Sequence, residues 1–393
     1  MFPRALHPRS SATRRRLRRR GNVLLLTLLL ATTMLGLLAF SIDVGYMSVA
    51  RTELQRAADS AALAAASGLL SEARLQGDAA QSRVLLEARN AANRYSLVNL
   101  VCGTGPALDL NTANSPSGDI VFGHYSPLSG MSTSLVPDQY NAVLVRVQKT
   151  AERNGEYPLF FARFLGVLSA SGQAEAIATF RDGVTGFRVT EHTGNSGLMP
   201  FALDINDWRS LLAGAGTDSW SYNPATRTLS AGSDGVKELK LFPTKVNPSG
   251  ITPGNFGTVN VGPPANSSAV LKRQISEGVS AEDLQFFGGE LKLNQQGVLM
   301  LNGDTGISAD VELALPDVLG KARTVFLYQK VEYPGNGATY TIVGFAGIRV
   351  VDFDLHGSHK YVSIQPAIAV DSTAISSDLN TSYHVYQPIV LVR

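Results

Sequence analysis

The sequence predicts an α+β protein hung from one N-terminal transmembrane helix, and three observations predict it. Eight arginines in the first 20 positions precede an uncharged apolar run of 20 residues, 23–42. An alanine-rich helical pattern follows that run at once. Beyond it, short alternating stretches set between Gly, Pro, Ser and Asn outnumber the helical ones, which gives mixed or antiparallel sheet with a few helices.

The anchor is the strongest signal. At 1.5 Å per residue a helix over 23–42 spans roughly 30 Å, the thickness of a bilayer's hydrocarbon core. Its polar members are mild, and Thr27, Thr32, Thr33 and Ser41 can return their hydroxyls to helix carbonyls. Arg4, Arg9, Arg14, Arg15, Arg16, Arg18, Arg19 and Arg20 stand on one side of the run with no acid among them. Removing those eight from the 34 basic residues leaves 26 against 32 acidic ones, a net −6 for the rest of the chain. Positive charge is retained in the cytoplasm, so Arg14 to Arg20 act as a topology signal, and everything after the span is placed across the membrane. Asp43 closes the apolar run. A cleaved signal peptide fits less well, because its apolar segment is roughly 7–15 residues and ends at a small-residue site that is missing after Ile42. Arginines clustered against a span set topology and meet anionic lipid, so no nucleic-acid partner is expected.

At 393 residues the chain has room for two or three domains. The expected division is a basic tail at 1–20, the anchor at 21–44, a helical stem with a first extracytoplasmic unit at 45–182, and a second, β-rich unit at 183–393. The single Cys102 forms no internal disulfide and excludes any multi-cysteine metal site.

In the stem, Leu54, Ala58, Ala61 and Ala65 recur at helical spacing, with Ala62 beside them, while Arg51, Gln55 and Asp59 form a second stripe. Glu53 and Arg56 stand three apart and can pair on the helix surface. Small residues let backbones approach closely, so the alanine stripe suits either a partner helix or the core of its own domain. The partner reading gives a helix–helix oligomer through the stem. Further helices are expected at 76–97, 157–167, 205–212, 267–277 and 307–313. Strands are expected at 119–125, 140–149, 171–181, 186–190, 237–243, 257–261, 323–331, 338–348 and 360–370.

At this point a family resemblance is visible. The arginine-rich start, Gly21-Asn22-Val23, the leucine-rich span, Asp43-Val44-Gly45 and Arg51…Leu54-Gln55-Arg56-Ala57-Ala58-Asp59-Ser60-Ala61-Ala62-Leu63-Ala64-Ala65-Ala66 resemble the N-terminal module of TadE/TadG-like Flp pilus-assembly proteins. Pilin-like members carry a glutamate five residues after a cleavage glycine. Leu26 stands there if Gly21 is that glycine, so the resemblance is to the uncleaved, TadG-like branch. Pro253-Gly254-Asn255-Phe256-Gly257 and Tyr340 to Ala346 resemble the C-terminal portion of a TadG-like subset. The resemblance implies a single-pass protein of the bacterial inner membrane, its C-terminal region periplasmic or extracellular, working with pilus and secretion machinery.

Signals for chemistry are weak beside this. His356 and His359 near Asp352 and Asp354 form the best metal-like cluster, but with no third ligand at a known spacing. Asp304, Asp310 and Glu312 lack the calcium-loop pattern, and Asn302-Gly303 reads as a tight turn. No G-x-S-x-G elbow and no glycine-rich phosphate loop is present. Trp208 and Trp220 flank a Gly-Ala-Gly turn and read as core, or as sugar-stacking surface, with core favoured. The expectation is a non-enzymatic component with no catalytic residue, cofactor or metal. The alternative is a membrane-tethered binding module or adhesin unrelated to pili.

Overall fold

The computed structural model describes residues 22–393 apart from 134–135, 243–244, 248–249, 253, 264–266, 334–336, 357–359, 378, 380 and 393. The arginine tail, Gly21, Pro253 and His359 lie outside the described residues. Contacts divide the chain into two units, one of residues 1–52 with 149–172 and one of 53–148 with 173–393.

Helix α1, Asn22–Leu69, carries the anchor and the stem as one element of 48 residues. That is about 72 Å of helix, more than twice what a bilayer core needs. Nothing in the sequence breaks it. It has no proline, and the hydroxyls of Thr27, Thr32 and Thr33 bond carbonyls three or four residues back, at 2.9–3.1 Å. Every large apolar side chain from Val23 to Ile42 is exposed. Above residue 50 the pattern reverses, and Leu54, Ala57, Ala58, Ala61, Ala62, Ala65 and Ala66 are fully buried.

What buries them is their own domain. Helix α2, Asp78–Val98, contributes Ala88 and Ala92 to the same core. The core also takes Ile120, Phe122, Val143, Val145, Val147, Ala176 and Ala178 from a five-stranded sheet. The strand order there is Gly130–Ser132, Ile120–Ser126, Ala142–Lys149, Gly172–Thr179 and Val390–Val392. The alternation expected at 140–149 holds, with Val143, Val145 and Val147 turned inward. A Cβ on Gly68 would come within 2.9 Å of the Ala88 backbone, so α1 and α2 cross close enough for only glycine there. The reading of the alanine stripe as a face for a partner helix is therefore corrected. Alanine is small because a sheet and a second helix of the same chain approach it, and no stripe is left over.

The cores change character near the boundary drawn at residue 182. The first draws on residues 54–180, with Tyr386 and Ile389 packed against it, and the other two begin at Val184. In the first sheet the closing strand is Val390–Val392, antiparallel to Gly172–Thr179, so the C-terminus returns past that boundary.

The larger sheet closes on itself. Ala338–Asp354 pairs with Leu299–Asp304, then Phe256–Val259, Leu198–Asp204 and Ala322–Glu332, which pairs back with Ala338–Asp354. Only the pairing of Leu198–Asp204 with Ala322–Glu332 in that ring is parallel. Closure removes the exposed edges of these strands. The fold is thus α+β with mostly antiparallel sheet after a long apolar helix.

Three local expectations are corrected. Residues 157–167 form no apolar helix. Tyr157–Pro158 pairs with Ser169–Ala170, and between them only Ala162–Leu165 winds, as 3₁₀. Asn302-Gly303 is strand, paired with Val259 on one side and with Ala338 and Thr339 on the other, where a Cβ on Gly303 would overlap the Thr258 carbonyl and meet the Tyr340 ring at 3.0 Å. At 307–313 the helix is 3₁₀, Ala309–Asp317, with Pro316 removing a donor near its end.

Candidate functional site at the end of the apolar span

Asp43 is the first charge after 20 apolar residues, and it is only 4% exposed. Its carboxylate accepts three backbone N–H groups: Phe160 at 2.8 Å, Phe161 at 3.0 Å and Ala162 at 2.6 Å. These are the donors that a chain entering a 3₁₀ turn at Ala162 leaves without an internal partner. An aspartate on one element thus caps another more than a hundred residues away and tethers that loop to α1. Charge-assisted bonds of this type are roughly twice as strong as neutral ones.

One turn further along α1, Tyr46 meets the Phe160 ring edge-on at 5.1 Å and the Tyr157 ring at 6.2 Å. Four further backbone donors of the loop bond within it. Leu159 donates to Leu168, Phe164 to Phe161, Gly166 to Arg163 and Val167 to Ala162. Gly166 takes φ +88°, a left-handed conformation that closes the turn.

The second stem stripe has structural work inside the domain. The Gln55 side-chain amide donates to Asp59 at 2.7 Å and to the Glu175 carbonyl at 3.1 Å. Glu53, expected to pair with Arg56, accepts the Cys102 N–H at 2.7 Å. Arg51 is exposed, and Gly45 has open space where a Cβ would stand. Cys102 is a free, partly buried thiol. Sequence reasoning named Asp43 but missed its partner, since nothing local marks a backbone segment at 160–162 as a ligand.

The polar clusters elsewhere have local explanations. His356 Nδ1 lies 3.0 Å from Glu312 and 3.9 Å from Asp354, and ligand-type atoms of these three side chains lie within 4.8 Å of one another. Glu312 also accepts the Leu355 N–H at 2.8 Å, and Asp352 is turned to the Tyr361 hydroxyl at 2.9 Å. That hydrogen bond holds the Tyr361 phenol above its usual range. Asp304 is spent on the Gly306 N–H and Asp310 is exposed. Trp208 is fully buried beside Tyr383, while Trp220 is half-buried in a strand.

Two buried arginines organise the second unit. Arg89 donates to the Leu110 and Ile120 carbonyls at 2.7 and 2.8 Å, and burial brings its pKa down to about 10. Arg349 stacks 3.2 Å over the Tyr222 ring and donates to Glu72 at 2.6 Å. A cleft of about 430 Å³ is lined by Arg74, Gln81, Lys237, His384 and Tyr386 among others. Gly257 and Tyr340, from the two C-terminal motifs, meet inside the strand ring, where a Cβ on Gly257 would overlap the Tyr340 hydroxyl. That contact serves packing.

Comparison with known proteins finds similarity over the long helix and the first core. The family described as Flp pilus-assembly TadE/G-like matches residues 21–68, and the family described as Tad-like Flp pilus-assembly matches residues 50–178. No curated protein and no solved structure matches the chain. The two matches run without a gap from the anchor through the stem to the strand Gly172–Thr179, and over residues 21–178 the chain is similar to TadE/G-like and Tad-like Flp pilus-assembly sequences.

Proposed function

We propose that the chain is a non-enzymatic, single-pass component of a Flp/Tad-type pilus system in the bacterial inner membrane. Its basic tail sits in the cytoplasm and residues 43–393 lie in the periplasm or at the cell exterior. The observation that carries this reading is the unbroken family similarity over residues 21–178, covering span, stem and first core together. The arginine asymmetry about the span supports the orientation. A non-enzymatic role is supported by what the polar groups do, since Asp43, Gln55, Glu53 and Arg89 hold backbone in place.

Because the alanine stripe is core, contact with pilus machinery runs through other surfaces of the chain. The test is affinity capture of the full-length protein from gently solubilised membranes, with an unrelated single-pass protein bearing the same tag as control. Pilus-machinery proteins in the first capture and not in the second are the expected result. Their absence from both removes the pilus reading and favours the tethered binding module, for which the 430 Å³ cleft is the place to look for a ligand.

A further inference from the structure

We propose that the loop over residues 159–168 is a second membrane contact, inserting its apolar side chains into the bilayer interface beside the point where α1 leaves the hydrocarbon. The occupant of this surface is lipid.

The loop combines four properties that a water-facing loop lacks. Its side chains are large, apolar and outward: Phe164 is 82% and Leu165 87% exposed, with Phe160, Val167 and Leu168 more than half exposed. Its backbone donors at 159–162, 164, 166 and 167 are satisfied within the unit, the condition for placing irregular backbone where water is scarce. Its height is fixed, because the Asp43 carboxylate binds it at the residue that ends the apolar span. Its flanks are those of an interface: Tyr46 and Tyr157 pack beside it, and the exposed Arg163 can reach a lipid phosphate while its stem lies along the apolar surface.

Lipid is favoured over a protein partner by continuity. The exposed side chains of Phe40 and Ile42 on α1 belong to the same unit and lie in the span immediately before Asp43. A surface that begins in the bilayer and continues into the loop needs no second occupant. The inference rests on the anchor being in a bilayer and is independent of the pilus reading.

The test uses full-length protein with Cys102→Ser, reconstituted in phosphatidylethanolamine–phosphatidylglycerol vesicles. Single cysteines at Leu165→Cys, Phe164→Cys, Ile42→Cys and Leu128→Cys carry a polarity-sensitive fluorophore. Leu128 is an exposed apolar residue of the other unit and serves as the aqueous reference. The labels at 164 and 165 are expected to behave like the label at 42, with blue-shifted emission, quenching by brominated lipid and protection from iodide. Labels at 164 and 165 that match position 128 overturn the proposal. So does quenching by neither agent, which means protein covers the loop. If the label at 42 is itself aqueous, the anchor fails and the loop contact falls with it.

Discussion

The two halves of α1 are one unbroken helix with opposite surfaces. From Val23 to Ile42 its large side chains are exposed, and from Ala50 to Leu69 its small ones are buried. A helix that meets water packs leucine inward and shows charge. Here leucine is shown along the candidate membrane span, and alanine is hidden where a sheet and a second helix press close. Along 23–42 the large side chains are exposed, as a membrane span requires, whereas from 54 to 69 the alanines are enclosed by protein together with Leu54 and Leu69.

The most damaging change to that contrast is to enlarge the buried half. Ala58→Leu, Ala61→Leu and Ala65→Leu together are expected to abolish the fold of the first core, since overpacking costs ~1–3 kcal/mol at each site. Thermal unfolding of the detergent-solubilised full-length variant measures this. An unchanged transition with lost partner capture would return the stripe to a partner helix. On the other half, Leu30→Arg is expected to leave the folded core intact and cost roughly 2.5–3.5 kcal/mol of insertion free energy. Membrane fractionation checks it, and full retention in the membrane would break the comparison.

A smaller effect is expected at the junction. Asp43→Ala is expected to raise amide hydrogen exchange at Phe160, Phe161 and Ala162 while leaving the unfolding transition of the second unit in place. Unchanged exchange at those three amides would show that the carboxylate does not hold the loop. The smallest effect belongs to Leu63, on the stem but exposed: Leu63→Arg is expected to shift stability by no more than about 0.5 kcal/mol. A large shift there would mean that this face of the stem is covered.

Much of this was legible in the residues. The uninterrupted apolar run announced the span, and the alternation at Val143, Val145 and Val147 announced a strand. The helix expected at 205–212 is observed as Ile205–Leu212, where Asp204 caps its first turn by accepting the Asn206 N–H. What escaped was long-range. Alanine spacing fixes which face is small, and not what lies against it, so the stem's neighbour emerged only with the sheet. The segment Phe160 to Val167 has helical hydrophobicity, yet it is a loop with one 3₁₀ turn between the paired strands Tyr157–Pro158 and Ser169–Ala170, and three of its amides bond a carboxylate far earlier in the chain. Asn302-Gly303 has turn chemistry, overridden by the strands that pair with it on both sides. The return of Val390–Val392 to the first sheet left no trace in local pattern.

The change of surroundings along α1 is tested most directly by single cysteines at Leu30, Ala58, Ala61 and Ala65, in full-length Cys102→Ser protein in vesicles, treated with a water-soluble maleimide before and after urea. Protection at all four positions in the native state, with urea exposing 58, 61 and 65 and leaving 30 protected, is the predicted result. Native-state labelling at 58, 61 or 65, or labelling at 30 in urea, would contradict it.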